Sequence, residues 1–257
     1  MIKKALVAIP LFAFSMGASA AVVALYGKTE YPVDTNNIVQ FLEQNGHTVV
    51  YSQVAAPDAA ALAGVDAVIA IRSKTGNDAV RDFVLNGGLL ITEWSSAEWV
   101  LDTAQLLDAS IVKEENRGFD SVIHLTDEAL AIGLGERGLG TQYSDQGRTE
   151  FMYDFTNLGS DVEVMGTLTD GSVVTIGGAA GDGYVLVNGM DWSDYFNAGN
   201  HASGQWLLNA LEIDWSVIPA PGPGPSPVSE PALPLLLGIG MTALVVAGQR
   251  RRREMKR

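Results

Sequence analysis

Through the first half of the chain, short apolar runs alternate with amphipathic stretches. Ala21–Tyr26, His47–Tyr51, Asp66–Ile71 and Leu89–Trp94 are apolar segments of strand length. Helical patterns fall between them. Asp34 is placed to cap a helix carrying Ile38, Val39 and Leu42 on one face and closed by Asn45-Gly46. Ala59–Leu62 predicts a short helix ended at Gly64. Asn77–Leu85 presents Val80, Phe83 and Val84 on one face and stops at Asn86-Gly87-Gly88. Ser95 or Ser96 is expected to cap a further helix running through Leu107. Strand–helix alternation predicts an α/β domain whose sheet is mostly parallel, with helices on both faces.

The second half changes character. Val122–Leu125 and Asp127–Ile132 read as a short strand and helix. Val162–Leu168, Ser172–Ile176 and Gly183–Val187 are closely spaced strands separated by glycine turns at Asp170-Gly171 and Gly181-Asp182-Gly183. They predict antiparallel additions to the sheet. A final helix, His201–Leu211, turns Trp206, Leu207 and Leu211 inward.

Both ends of the chain follow other rules. Lys3 and Lys4, the apolar run Ala5–Met16 and the small residues Ala18-Ser19-Ala20 predict a secretory leader of residues 1–20, cut before Ala21. At the other end, Ala232–Gly248 is 17 residues without a charge. As a helix it covers roughly 25 Å, close to the ~30 Å of a membrane's hydrocarbon core. Arg250, Arg251, Arg252 and Arg253 follow and should stay on the cytoplasmic side. A Pro/Gly linker, residues 218–228, separates this predicted transmembrane helix from the domain at 21–217.

Charge and cysteine content narrow the chemistry. The chain has 16 basic and 30 acidic residues. Eight basic and two acidic residues lie in the terminal segments, so the body from Ala21 to Val228 carries 8 basic and 28 acidic residues, net −20. Such a surface repels nucleic acid and anionic lipid. There is no cysteine. That excludes disulfides, a Cys nucleophile, a Cys zinc site and an iron–sulfur cluster.

Two resemblances follow. Ser229-Glu230-Pro231, the apolar helix and the arginine cluster, in that order at the chain's end, resemble a PEP-CTERM sorting signal; Ser229 stands where that signal usually has proline. The resemblance covers residues 228–257. It implies processing by signal peptidase and then by an exosortase near Glu230-Pro231. The protein would be held in the membrane as a precursor and delivered to the surface or extracellular matrix of a Gram-negative bacterium that makes exopolysaccharide. The competing reading of the same residues is a plain membrane anchor. In the body, several features resemble the flavodoxin-like sheet of the class I glutamine amidotransferase-like fold, nearest its non-amidotransferase branches such as the trehalose-utilisation type. They are the strand Leu89-Leu-Ile-Thr-Glu, the turn Gly181-Asp-Gly, Gly189-Met-Asp-Trp192 and the closing Trp206-Leu-Leu-Asn-Ala-Leu211.

That family's catalytic members place a cysteine on a glycine-flanked turn after a strand and complete it with a late His-x-Glu. The matching turn here is Glu93-Trp94-Ser95-Ser96-Ala97. It has no cysteine, and none of His47, His124 and His201 is followed by x-Glu. Amidotransferase chemistry is therefore not expected, and no catalytic residue, metal or cofactor is assigned. A hydrolase using Ser95 or Ser96 with His201, or a metal held by Asp191, Asp194 and His201, remains an alternative. So does a domain that only scaffolds partners. The first reading is a non-enzymatic surface or matrix component, with Glu93, Trp94, Ser95, Trp192, Asp194 and His201 as its candidate ligand rim. Aromatic faces stack on sugar rings there, and carboxylates accept from hydroxyls. The reading of the same tryptophans as core or rim packing stands ahead of it.

Overall fold

The computed structural model describes residues 20–27, 32–116, 122–144, 151–193 and 202–215, with no side-chain description at 32–35, 113–116 and 151. The chain divides into two units, Met1–Pro221 and Gly222–Arg257, and all described residues belong to the first. The predicted transmembrane helix, the sorting residues and the leader up to Ser19 lie outside the described residues. Among those described, no helix is long and apolar enough to cross a membrane.

In chain order the elements are β1 (Val22–Gly27), α1 (Pro32–Gln44), β2 (Thr48–Gln53), β3 (Ala67–Ile71), α2 (Asp78–Leu85) and β4 (Leu89–Glu93). Next come α3 (Ser96–Glu98), which passes into a π-helical turn Trp99–Thr103, then β5 (Ser110–Asn116), β6 (Ile123–Leu125), α4 (Asp127–Ala131) and β7 (Gln142–Tyr143). The last are β8 (Phe151–Thr156), β9 (Glu163–Leu168), β10 (Val173–Ala180), β11 (Gly183–Asn188) and α5 (Ala202–Glu212). Every residue of β3 and β4 is buried. A continuous apolar run is what a strand covered on both faces requires.

The main sheet has the order β2-β1-β3-β4-β11-β10-β9-β6-β7. It is parallel from β2 to β11 and antiparallel beyond. The architecture is thus α/β with a parallel block at its centre and antiparallel strands contributed by the second half. One face packs Val23, Leu25 and Ile69 against Ile38 and Leu42 of α1 and Trp206 of α5. The other packs Ala24, Val68 and Leu90 against Val80 and Val84 of α2 and Trp99 of the π turn. Because β11 pairs with β4, the end of β4 is flanked by the ends of β3 and β11. Ligand sites of open α/β sheets lie outside such strand ends.

Two expectations are corrected, and one element is added. Residues 59–64 form turns, not a helix: Asp58 caps the segment through Ala61 N–H at 2.9 Å, and Val65 N already bonds Leu62 O at 3.2 Å, so the chain turns into β3 at once. The helix expected through Leu107 is only α3 plus the π turn, where Ala104 N bonds Trp99 O at 2.8 Å. That turn seats the Trp99 ring against Gly76, where an added Cβ would lie 2.2 Å from the ring. Finally, β5 and β8 pair as a separate antiparallel sheet that was not anticipated.

Gly27 closes β1 at φ +117, with its Cα so near β3 that a Cβ would stand 1.7 Å from the Ile71 carbonyl oxygen. Backbone cannot yield as a side chain does. Gly27→Ala is expected to cost well over ~1 kcal/mol in urea unfolding, whereas Gly46→Ala, at φ +90 with open space around it, should cost only its backbone strain.

Candidate functional site

Glu93, the last residue of β4, is fully buried. Arg72 follows β3 directly and has φ +44, a conformation few non-glycine residues adopt. This turn aims its backbone N–H at Glu93 Oε2, 2.9 Å away. Its guanidinium then reaches the end of β4 and, beyond it, the residues that follow β11, with Nε 3.7 Å from Glu93 Oε1 and a terminal nitrogen 3.3 Å from Asp191 Oδ2. From beyond β11, Ser193 donates to Glu93 Oε1 through its hydroxyl at 2.9 Å and its backbone N–H at 3.4 Å. One arginine, two carboxylates and a serine thus knit the ends of β3, β4 and β11.

Burial pushes the Glu93 carboxyl up to about 7, and the Arg72 charge and the bonds from Ser193 and Arg72 only partly oppose it. A carboxyl near neutrality at a strand end is a common mark of a functional site, although buried ion networks produce it too.

The next residue makes the strand-to-helix turn. Trp94 has φ +36; its N–H bonds Asn188 O at 2.9 Å, and its carbonyl accepts from Ala97 N at 3.0 Å. A nucleophile elbow has this layout, with the strained residue held out at the top of the sheet. Here the strained position carries an indole. The Arg72 guanidinium carbon lies 5.0 Å from the Trp94 ring centroid, within cation–π range. Tyr153 of β8 packs beside it, ring centroids 5.9 Å apart. The Tyr153 hydroxyl donates to Glu98 Oε1, which also accepts from Lys74 Nζ at 2.7 Å. Burial works to raise the Glu98 carboxyl, but the bonds from Lys74 and Tyr153 and the Lys74 charge outweigh it and hold the group below the usual range.

Both serines of the turn are buried. Ser95 sits at the cap position with helical φ and makes no capping bond. Ser96 Oγ accepts from Ser73 N at 2.9 Å and so ties the β3 loop to the elbow. His47 precedes β2 at the opposite, N-terminal edge of the parallel strands, and the His124 ring bonds Thr169 Oγ1 at 3.1 Å. His201 and Asp194 lie outside the described residues.

Of the predicted rim, Glu93, Trp94 and Ser95 meet at the end of β4. Trp192 is buried and packs on Trp206, centroids 6.4 Å apart, in the core layer of α1 and α5. Trp94 packs against the other layer. The two indoles therefore face opposite sides of the sheet. Sequence reading missed Arg72, Lys74, Tyr153 and Ser193. The first two had a signal: Arg72-Ser-Lys74 follows an uncharged strand directly in a body with 8 basic residues. Tyr153 had one in Phe151-Met-Tyr-Asp-Phe-Thr, rich in aromatics.

Two cavities lie elsewhere. One of about 490 Å³ opens at the N-terminal strand edge between Leu62, Val65, Asp66, Phe83 and Gly87. Another of about 470 Å³ lies beside Arg137, Gln142, Tyr143 and Gln205. Neither touches the ion cluster, and volume alone does not make either the site.

No protein-family profile matches the chain, and no curated protein does. Solved structures do. A ThuA-like protein from Bacteroides uniformis aligns at 15% identity over 79% of this chain and 94% of its own, TM-score 0.52. A GMP synthase component from Thermoplasma acidophilum aligns at 10% identity over 75% and 92%, TM-score 0.53. The chain also matches 31% of a β-galactosidase from Rahnella sp. R3, at 14% identity over 74% of this chain, TM-score 0.53. Identities this low carry the fold alone. That fold is amidotransferase-like.

Proposed function

We propose that this is an exported protein, sorted by an exosortase to the surface or matrix of a Gram-negative bacterium, whose amidotransferase-like domain binds a ligand without turning it over. The observation that carries the second part is Trp94 at the positive-φ position of the elbow. An indole there is no nucleophile: its N–H is far too weak an acid to give up its proton near neutral pH, and its nitrogen lone pair is delocalised into the ring. Ser95 and Ser96 lie past the strained position, and Ser96 Oγ is engaged by backbone. The chain supports export through its leader and sorting through Ser229-Glu230-Pro231, the apolar run Ala232–Gly248 and the arginines beyond.

The ligand class follows from the rim. Trp94 is half-buried, Glu98 is held ionised, and Lys74 is exposed. A ring face beside a carboxylate and an ammonium suits a hydroxyl-rich, uncharged or mixed-charge glycan, such as an exopolysaccharide at the destination. Asp194 and His201 remain part of the proposed rim.

The test is a glycan array with the exported, processed protein, run beside ester, amide and glycoside substrates. A polysaccharide signal is expected, with Trp94→Ala weakening it about tenfold, the loss of one stacking contact of ~1.4 kcal/mol. Turnover of any substrate would favour a hydrolase. Binding unchanged by Trp94→Ala would remove this rim from consideration, and silence in both would leave scaffolding. For sorting, the surface form should lack the residues after Glu230; equal release from an exosortase-deficient strain would indicate a plain anchor.

A further inference from the structure

Ala20 is exposed and Ala21 is 8% exposed. Across that one step the chain enters the sheet. Ala21 O accepts from Thr48 N at 2.9 Å, and Val22 N donates to Asp66 Oδ2 at 2.7 Å. Ala21 N donates to Nδ1 of His47 at 3.2 Å, and that ring is 4% exposed. Local geometry brings His47 there: Gly46, at φ +90, ends α1, and His47 N bonds back to Leu42 O at 3.1 Å, so the imidazole faces the start of β1.

We propose that His47 is the receptor for the chain's own new amino terminus, its Nδ1 lone pair holding the α-ammonium that leader removal creates on Ala21. This rests on the reading that the leader ends at Ala20. Hydrolysis of the Ala20–Ala21 bond puts the hydroxyl of water on the Ala20 carbonyl carbon and a proton on the Ala21 nitrogen. At neutral pH the amine takes up one more proton from solvent. The donor already aimed at His47 then becomes charged, and a charge-assisted bond replaces an amide one.

The surroundings suit that role. An acceptor Nδ1 requires the ring proton on Nε2, which is buried and bonded to nothing among the described residues. Burial lowers the tendency of His47 to protonate; Glu212 raises it and Arg137 lowers it. Among the described residues, Glu212 of α5, paired with Arg137, and Asp66 just before β3 are charged groups that face the site. The neutral ring keeps its lone pair toward the ammonium at neutral pH and loses it in acid. The order of events is fixed too. A bond whose amide is buried in the sheet is shielded from a peptidase, so cleavage precedes the seating of β1.

The test uses protein recovered from the exporting host. Its amino terminus is sequenced, and the folded protein is then acetylated at pH 7, with the rate at the α-amine compared with that at Lys74. Wild type and His47→Asn, whose amide oxygen can stand near the Nδ1 position, should react at least about tenfold more slowly than His47→Leu, the effect of one hydrogen bond to a charged group. Independently of any variant, nitrogen NMR of wild type should show His47 protonated at Nε2. A chain beginning at Ala21 with equal rates in all three proteins, or with the proton on Nδ1, overturns the His47 role alone. A chain beginning elsewhere overturns it together with the cleavage reading.

Discussion

Arg72→Ala should destabilise the domain by about 3–5 kcal/mol at neutral pH, read from urea unfolding. This is the usual cost of breaking a buried ion pair by removing one partner. The Arg72 side chain is 9% exposed, and it serves two carboxylates, Glu93 at 0% and Asp191 at 1%. Its removal takes from both the cation they share and favours the protonated form of Glu93. The Trp94 ring also loses the cation above it. The substitution does not touch the Arg72 backbone N–H that bonds Glu93, so the loss reports the guanidinium. In acid the deficit should shrink, because Glu93 protonates and no longer needs the cation. A loss below ~1 kcal/mol at pH 7 would mean that the cluster is well hydrated and that the rim is open to solvent.

Glu93 itself should make unfolding free energy fall as pH rises from about 4.5 to about 7, the ordinary and folded-state values of its carboxyl. Below this window the group is protonated in both states, and its contribution to stability is fully present. Within it, the unfolded carboxyl ionises while the folded one keeps its proton, so the unfolded state binds fewer protons and gains. Above it both are ionised, and the contribution is gone. At ~1.4 kcal/mol per unit the change is on the order of 3 kcal/mol. Glu93→Gln should flatten the profile across this window. His47 acts in the opposite sense: its lowered affinity for a proton contributes stability above pH 6.5 that is lost as pH falls. Glu98, with a lowered carboxyl, acts below 4.5. The difference between wild type and Glu93→Gln isolates the one group. Parallel profiles would show that Glu93 is ordinarily hydrated.

The parallel half of the fold was legible because its strands obey simple rules. β3 is an uninterrupted apolar run and β4 opens as one, both between turn residues, and the helix expected over Asn77–Leu85 forms from Asp78, with Asn77 capping it through Val80 N–H. What escaped was decided by tertiary contact. The π turn goes with the packing of Trp99 on Gly76, and neither residue announces the other. β5 is polar along Lys113-Glu114-Glu115-Asn116 and becomes a strand only by pairing with β8. The site behaved likewise. Glu93, Trp94 and Ser95 are adjacent in sequence and were found together. Arg72, Tyr153 and Ser193 come from three other places in the chain, and only the strand order β3-β4-β11, with β8 alongside, brings them to Glu93 and Trp94. The side of the sheet that each indole faces is set by where the chain leaves its strand, a choice of one residue that periodicity does not resolve.

The most direct measurement on the account is the intact mass of the processed protein after incubation with excess fluorophosphonate at neutral pH, followed by peptide mapping. An elbow that carries an indole, flanked by serines without a described histidine beside them, should yield an unmodified mass and no adduct on Ser95, Ser96 or Ser193. A stoichiometric adduct on any of the three would show an activated nucleophile at the strand end and contradict a domain that binds without turnover.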